Sequence, residues 1–185
     1  MKLNLGCGKH KIDGYVNVDR HGSADVLHDL EVFPWPWLDS SVDEIFIAHT
    51  LEHLGADFNT FIGIIKEMYR VCVPNALVKI VVPHPRHDHF ICDPSHVRPI
   101  TKDTMFLFSK RLNRQYAAGG FSNSPLGLYY DVDFDVEYIE EQLDQKYELY
   151  HRLKGRSDQE LDFAKAHLFN VISQIEIHLR VLKGV

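Results

Sequence analysis

The sequence has few basic residues and no basic run. Lysine and arginine together number 20 against 26 aspartate and glutamate residues, so the formal net charge of the 185-residue chain is −6. A protein that binds nucleic acid neutralises phosphates with clustered lysine and arginine side chains. The composition therefore argues against a nucleic-acid partner.

A disulfide framework and a long apolar run are also missing. The three cysteines, Cys7, Cys72 and Cys92, are odd in number and form no C-x-x-C pair, which favours reduced thiols. No apolar stretch approaches the ~20 residues that span a bilayer, and no signal-peptide pattern opens the chain. We therefore expect a cytoplasmic protein without a membrane partner, and the length predicts one domain over residues 1–185.

The opening of the chain has the clearest functional signal. Lys2–Gly8 and Tyr15–Asp19 predict two strands joined by a glycine turn. Gly6 and Gly8 have no Cβ, so the backbone there can turn sharply and approach a ligand closely. Asp19, at the end of the second strand, is placed to accept hydrogen bonds from a ribose diol. The stretch predicts a site for a nucleoside-like ligand.

The spacing within this stretch narrows the choice of ligand. Seven residues separate Gly8 from Val16, whereas a parallel crossover usually takes about a dozen residues or more. The third glycine of a G-x-G-x-x-G motif is missing, with Lys11 in its place. Both features argue against a dinucleotide, because there is no room for a full helix that would bind its pyrophosphate. They favour S-adenosylmethionine, which has a ribose and no phosphate.

The rest of the chain alternates predicted strands with predicted helices. This alternation is typical of a doubly wound, mostly parallel α/β sheet, here with a reduced first crossover. The further predicted strands are Ala24–His28, Ser41–His49, Ala76–Val82, Phe134–Ile139 and Ile175–Leu182. The predicted helices run from a cap at Asn59 or Thr60 to Val71, from a cap at Thr101 to about Arg111, and over Asp158–Phe169, while Ala117–Gly127 is a predicted loop and a candidate lid.

Four segments form a series with a recognisable order and spacing. They are Asn4–Gly8, Gly14–Asp19, Asp43–Leu54 and Glu67–Val71. The series resembles the short-looped, small single-domain branch of class I S-adenosylmethionine-dependent methyltransferases. The resemblance implies a Rossmann-like methyltransferase fold with S-adenosylmethionine as cofactor. The cofactor-binding residues predicted from the motif and the resemblance are Leu5, Gly6, Cys7, Gly8, Asp19, Asp29, Leu30 and His49.

A second unusual segment runs from Pro83 to Pro99 and is rich in histidine. It follows a predicted strand, so it should overhang the same end of the sheet as Gly6. One interpretation is a solvated polar loop. Another is a metal site, although methyl transfer needs no metal and the spacing matches no zinc pattern. The possible metal ligands are His84, His87, Asp88, His89, Cys92, Asp93 and His96.

The preferred interpretation of this segment is substrate binding and proton removal, with no metal. Histidine titrates near neutral pH and can take a proton from an attacking hydroxyl group. His84 is the first candidate for the base and His96 the second, with Asp93 positioned to orient His96. Arg98 is the candidate for holding the acceptor.

The sequence thus predicts an enzyme that transfers a methyl group from S-adenosylmethionine to a small-molecule or sugar-like acceptor. One alternative is a module that binds the cofactor or another nucleoside without turnover. A metal-binding protein and a nicotinamide-dependent oxidoreductase are weaker alternatives, the latter because of the short first crossover. The sequence leaves the oligomeric state open.

Overall fold

The computed structural model describes residues 1–155 and 157–184, which form a seven-stranded sheet flanked by helices. Within these residues the strand order is β3-β2-β1-β4-β5-β7-β6. The first five strands are parallel, and β7 runs antiparallel to both of its neighbours. The strands are β1 (Lys2–Leu5), β2 (Val16–Asp19), β3 (Val26–Leu27), β4 (Val42–Ala48), β5 (Cys72–Pro83), β6 (Phe134–Leu143) and β7 (Ile172–Val181).

The central strands are apolar because helices and loops cover both faces of the sheet. Leu3 and Leu5 of β1 are fully buried, as are Ile45 and Ile47 of β4. The observed sheet confirms the predicted doubly wound, mostly parallel α/β fold, including the prediction that the last two strands complete it. The helices are α1 (Phe58–Val71), α2 (Asp88–Ile91), α3 (Lys102–Phe106), α4 (Lys110–Ala118), α5 (Leu126–Tyr129), α6 (Gln145–Lys154) and α7 (Asp158–His167).

The first crossover is a loop without a helix, as the short spacing predicts. A network of buried amides holds this loop between β1 and β2. Asn4 of β1 donates from Nδ2 to the carbonyl of His10 and to Oδ1 of Asn17, both at 2.9 Å. Asn17 in turn donates from Nδ2 to Asp25 at 2.8 Å. These bonds replace the helix that usually covers a parallel crossover.

Several predicted helix boundaries are wrong. The N-cap of α1 is Asp57, two or three residues before the predicted cap, because the carboxylate of Asp57 accepts from the amides of Asn59 and Thr60. The predicted helix from Thr101 divides into α3 and α4, since Ser109 is fully buried and caps a new helix. Helix α6 was not predicted, because its residues lack a clear apolar stripe.

The parallel strands place their carboxyl ends together at one edge of the sheet. The chain order reverses between β1 and β4, and a crevice outside the carboxyl ends at such a switch point is the usual ligand site of an open α/β sheet. Among residues 1–155 and 157–184, no helix has both the length and the apolar character needed to cross a membrane.

Candidate functional site

A cavity of about 240 Å³ lies beyond the carboxyl ends of β1, β2 and β4. Five of the predicted cofactor-binding residues line it, which brings together positions spread over more than forty residues of the chain. They are Gly6, Asp19, Asp29, Leu30 and His49. Five lining residues were not among the predicted site residues: Arg20, His28, Thr50, His53 and Leu54.

Gly6 forms the floor of the cavity and has no room for a side chain. Its φ angle is +68°, a left-handed conformation that favours glycine. A Cβ at this position would lie 2.2 Å from Oγ1 of Thr50. The Thr50 hydroxyl donates to the carbonyls of Gly6 and Ala48, at 3.3 and 3.0 Å, and so ties the glycine turn to the end of β4.

Asp19 extends from the end of β2 toward the cavity. Its Oδ2 accepts from the Gly8 amide and its Oδ1 accepts from the His21 amide, each at 2.9 Å. An ionised carboxylate offers about four lone-pair sites, so acceptor capacity is left for a ligand. Asp29 is similar, since its Oδ1 accepts from the Glu31 amide at 3.0 Å.

Leu5, Cys7 and Gly8 do not line the cavity, although the sequence analysis named them as cofactor-binding. Leu5 is fully buried in the sheet and Cys7 is nearly so, with a thiol pKa raised by burial and by the charge of Asp19. Gly8 contributes indirectly, because its amide fixes the Asp19 carboxylate. Direct contacts from these three residues to a cofactor remain predictions.

His49 ends β4 in a left-handed conformation, with a φ angle of +48°. Backbone strain of this kind is concentrated at functional sites. The His49 Nδ1 atom lies 3.7 Å from Oε1 of Glu52, too far for a hydrogen bond. The Glu52 carboxylate raises the pKa of His49 despite the opposing effect of burial.

A short 3-10 turn, Leu51–His53, follows β4 and orients two chemically important residues. His53 lies on the cavity side of the turn. Glu52 faces inward and exposes 1% of its surface. Within the described parts of the chain, neither carboxylate oxygen of Glu52 has a hydrogen-bond partner. The sequence offered a signal here, because His49, Glu52 and His53 lie within five residues of one another at the end of a predicted strand.

His96 is brought to this turn by the loop between α2 and α3. The amides of Val97 and Arg98 donate to the Glu52 carbonyl, at 2.9 and 3.3 Å, and hold the loop against the turn. The His96 ring then lies 4.5 Å from the His53 ring, between centroids. His96 is therefore next to a cavity-lining residue.

His84 lies elsewhere and does not line the cavity. Its Nδ1 accepts from the Arg86 amide at 3.1 Å, and its backbone amide donates to Ser173 of β7. Burial and the positive charge of Arg86 lower its pKa. The lone pair of the neutral ring is therefore already used, which makes His84 a weaker candidate for the base than His96.

Asp93 and Arg98 have structural contacts in this region. Asp93 accepts from the amide and the hydroxyl of Ser95, and these hydrogen bonds lower its pKa. Arg98 donates to the Gly55 carbonyl at 2.7 Å and lies over the Phe61 ring at 4.5 Å. The predicted roles of Asp93 in orienting His96 and of Arg98 in holding an acceptor remain predictions.

The remaining histidines of the segment anchor the loop to the far end of the chain. His87 is buried, caps α2 by accepting from the His89 amide, and approaches Asp144 at 3.3 Å. Asp88 exchanges two hydrogen bonds with Asn170. Cys92 is exposed. These contacts account for most of the histidine-rich segment without a bound ligand.

Comparisons with known proteins show the fold. The structure is similar to a SAM dependent methyltransferase from Archaeoglobus fulgidus, with a TM-score of 0.62, 18% identity and coverage of 97% of this chain and 85% of that one. It is similar to a SAM-dependent methyltransferase from Methanosarcina mazei, with a TM-score of 0.55, 15% identity and coverage of 99% and 92%.

A third neighbour is the 1,6-didemethyltoxoflavin-N1-methyltransferase of Burkholderia thailandensis, whose structure contains 1,6-didemethyltoxoflavin and S-adenosylhomocysteine. Its TM-score is 0.55 at 9% identity, and the match covers 98% of this chain and 71% of that one. No protein-family profile and no curated protein matches the sequence. The chain thus has the fold of class I S-adenosylmethionine-dependent methyltransferases, as the resemblance in the sequence implied.

Proposed function

We propose that this protein transfers a methyl group from S-adenosylmethionine to a small-molecule or sugar-like acceptor. One observation carries the proposal: Gly6, Asp19 and Asp29 line a single cavity at the switch point of a methyltransferase fold. The glycine turn allows close approach of a ligand, and each carboxylate keeps free acceptor capacity.

In the proposed complex, Asp19 accepts hydrogen bonds from the ribose diol of the cofactor. Asp29 accepts from the exocyclic amine of adenine, and Leu30 packs against the adenine ring. The methionine end then extends past Gly6 toward His49 and His53, at the far side of the same cavity. A cationic sulfonium is compatible with this environment, because the cavity wall includes carboxylates and backbone carbonyls.

The reaction moves an electron pair from the acceptor to the methyl carbon while the carbon–sulfur bond breaks. S-adenosylhomocysteine leaves as a neutral thioether, and the proton of the acceptor passes to a base or to water. Holding the two reactants in line supplies up to about 7–11 kcal/mol of the rate enhancement in favourable cases. Among the histidines predicted to act as the base, the geometry favours His96 over His84 for the reason given above.

Two observations support a small acceptor. The net charge of −6 disfavours a nucleic acid. One structural neighbour with S-adenosylhomocysteine also contains a small molecule, 1,6-didemethyltoxoflavin.

The first test measures S-adenosylhomocysteine binding by calorimetry for the unmodified protein and for Asp19→Asn. We expect Asp19→Asn to weaken binding by about 1.5–3 kcal/mol, the range for a hydrogen bond to a charged group. Asp13→Asn is the matched control, because Asp13 is an exposed carboxylate outside the cavity, and its affinity should not change.

A thermal-shift screen extends the test to other ligands. A ligand that binds the native state alone raises the melting temperature, so S-adenosylhomocysteine should raise it and NAD should not. Absence of any effect at millimolar S-adenosylhomocysteine, or equal affinity in Asp19→Asn, would overturn the proposal. Binding without turnover of any acceptor in a broad screen would favour a non-catalytic module.

A further inference from the structure

Glu52 is a buried carboxylate without a hydrogen-bond donor. Its side chain is 1% exposed, and neither oxygen has a hydrogen-bond partner in residues 1–155 or 157–184. The nearest ring nitrogens are His49 Nδ1 at 3.7 Å and His96 Nε2 at 4.0 Å, both beyond hydrogen-bond range. An unpaired buried charge is costly, so an unpartnered group of this kind indicates a bound ion or water.

The other two buried glutamates, Glu44 and Glu67, have hydrogen-bond donors. Glu67 accepts from the Trp35 amide at 2.6 Å and from two nitrogens of Arg70 at 2.7 and 2.8 Å. Glu44 is satisfied in the same way by three neighbouring side chains. Glu52 is thus an exception among the buried glutamates, because its carboxylate accepts no hydrogen bond from the described residues.

Two of the histidines near Glu52, His53 and His96, have hydrogen bonds that place the ring proton on Nδ1 and leave the Nε2 lone pair free. His96 Nδ1 lies 2.8 Å from the Phe90 carbonyl, which can accept a hydrogen bond but not donate one. Nδ1 of His96 therefore bears the proton. Ser95 donates its hydroxyl proton to Asp93 at 2.6 Å, so its oxygen accepts from His53 Nδ1 at 3.0 Å. Both Nε2 atoms thus have an available lone pair when the rings are neutral.

We infer that Glu52, His53 and His96 bind a divalent first-row transition metal ion such as Zn²⁺. One ligand atom from each residue lies within 4.8 Å of the others. In tetrahedral coordination with bond lengths of 2.0–2.2 Å, ligand atoms are separated by about 3.3–3.6 Å, so side-chain rotations that bring the three atoms roughly 1 Å closer would close the site. This inference replaces the expectation from the sequence that no metal binds. Of the seven possible ligands in the histidine-rich segment, only His96 belongs to the proposed site.

The ligand set selects the class of metal. Two imidazole nitrogens and one carboxylate suit Zn²⁺ and its first-row neighbours, whereas Ca²⁺ and Mg²⁺ prefer oxygen ligands. Hydrogen bonds from each ring Nδ1, to Ser95 and to the Phe90 carbonyl, are the outer-shell contacts that orient metal-binding histidines. Three protein ligands leave a fourth position open for water or another molecule.

One consequence rests on the proposed function. Because His53 also lines the cofactor cavity, a metal on its Nε2 would lie beside the reacting end of the cofactor. A metal there could bind an acceptor hydroxyl and lower its pKa. It would then take over the role of base from His96, because the Nε2 lone pair of His96 would bind the metal. The site would then select acceptors that have a hydroxyl group, because the metal would activate that group.

The test is calorimetric titration of the chelator-treated protein with Zn²⁺ alone, without cofactor or acceptor. We expect one equivalent to bind, and Glu52→Gln, His53→Ala and His96→Ala each to weaken binding by at least the roughly 10–100-fold that loss of an outer-shell partner causes. Ser95→Ala, which removes the partner of His53, should weaken it within that range. The visible absorption of the Co²⁺-substituted protein should rank the variants by affinity in the same order as the Zn²⁺ titrations.

His89→Ala is the matched control, because His89 is an exposed histidine of the same histidine-rich segment, in α2 and outside the cluster. Its Zn²⁺ affinity should equal that of the unmodified protein. Absence of Zn²⁺ binding, or binding that survives in both Glu52→Gln and His53→Ala, would overturn the inference. Glu52→Gln keeps the shape of the side chain, and circular dichroism would show that it is folded.

S-adenosylhomocysteine binding in the presence of chelator separates this inference from the proposed function. Zn²⁺ binding without S-adenosylhomocysteine binding would support the metal site and contradict the methyltransferase proposal. S-adenosylhomocysteine binding without Zn²⁺ binding would do the reverse.

Discussion

A buried glutamate lies near each end of the parallel strands, and the two glutamates differ in their hydrogen-bond partners. At the amino ends, Glu44 accepts from Tyr15 at 2.6 Å and pairs with Lys2 and Lys79 at 2.8 Å each. Burial alone would raise the pKa of Glu44, but these three donors outweigh it and lower the pKa to about 2. At the carboxyl ends, Glu52 is more deeply buried and has no donor within the described residues.

This difference indicates that the amino ends of the strands contribute to stability and that the carboxyl ends contribute to ligand binding. A carboxylate with all its donors in place stabilises the fold and has little capacity left for a ligand. A carboxylate without donors costs stability and is available to bind. The carboxyl ends also have the left-handed His49, the glycine turn at Gly6 and the cavity. Such features are typical of a binding site, where the geometry that a ligand needs lowers the local stability.

The largest effect should come from Gly6→Ala at the carboxyl ends. The new Cβ would lie 2.2–2.7 Å from three atoms of Thr50, in a backbone conformation that already disfavours alanine. Overpacking and left-handed strain together should lower the free energy of unfolding by about 2–5 kcal/mol. Displacement of Thr50 should also reduce S-adenosylhomocysteine binding, which calorimetry would measure.

Gly8→Ala is the control for this substitution. Gly8 also has a positive φ angle, but a Cβ there would meet no atom within 4 Å. We expect a loss of about 1–2 kcal/mol from backbone strain alone. Equal losses for the two variants in denaturant unfolding would show that the contact with Thr50 does not matter.

Glu44→Gln tests the stabilising end of the comparison. It keeps the shape of the side chain but removes the charge that Lys2 and Lys79 neutralise. The free energy of unfolding should fall by about 1.5–3 kcal/mol, measured by denaturant titration. Asp43→Asn on the same strand is the control. Its carboxylate is exposed and pairs with the amino terminus, so the loss should be below about 1 kcal/mol.

The dependence of stability on pH gives a smaller effect at the same residue. The pKa of Glu44 is about 2 in the folded protein, below its ordinary value of 4.5. The unfolded state therefore binds a proton first, and the stabilisation is complete above pH 4.5 and declines as the pH falls toward about 2. The difference in unfolding free energy between the unmodified protein and Glu44→Gln should shrink over this interval. A constant difference would contradict the assignment.

The smallest effect on stability should come from Glu52→Gln, in spite of its deeper burial. Among the described residues no donor loses a hydrogen-bond partner in this variant, and a buried carboxylate charge without a hydrogen bond is removed. In chelator-treated protein we expect the free energy of unfolding to stay the same or to rise by up to about 1 kcal/mol. Added Zn²⁺ should stabilise the unmodified protein and not the variant. If Glu52→Gln lowered the free energy of unfolding as much as Glu44→Gln does, the proposed contrast between the amino and carboxyl ends of the strands would be wrong.

The cofactor half of the site follows closely from local sequence. Gly6 and Asp19 are read from one short stretch, because strand, turn and strand there are consecutive and their spacing limits what the loop can bind. The burial of β4 also follows from its nearly continuous apolar run. These inferences succeed since each depends on neighbours in the chain.

The histidines beside the cavity could not be predicted in this way. The histidine-rich segment offered His84 first, because it lies nearest to the end of a strand, yet the amide of Arg86 occupies its lone pair. His53 and His96 are 43 residues apart and meet because backbone bonds to Glu52 hold their two segments together.

The sequence by itself determined the kind of sheet, the reduced first crossover and the position of Asp19 at the end of β2, because periodicity and spacing act over short distances along the chain. Tertiary structure alone decided which histidines lie near Glu52 and that its carboxylate would have no hydrogen-bond donor in the part of the chain that the structure describes. Burial and the absence of a partner are properties of the packed molecule, since each depends on what distant segments bring to the same place.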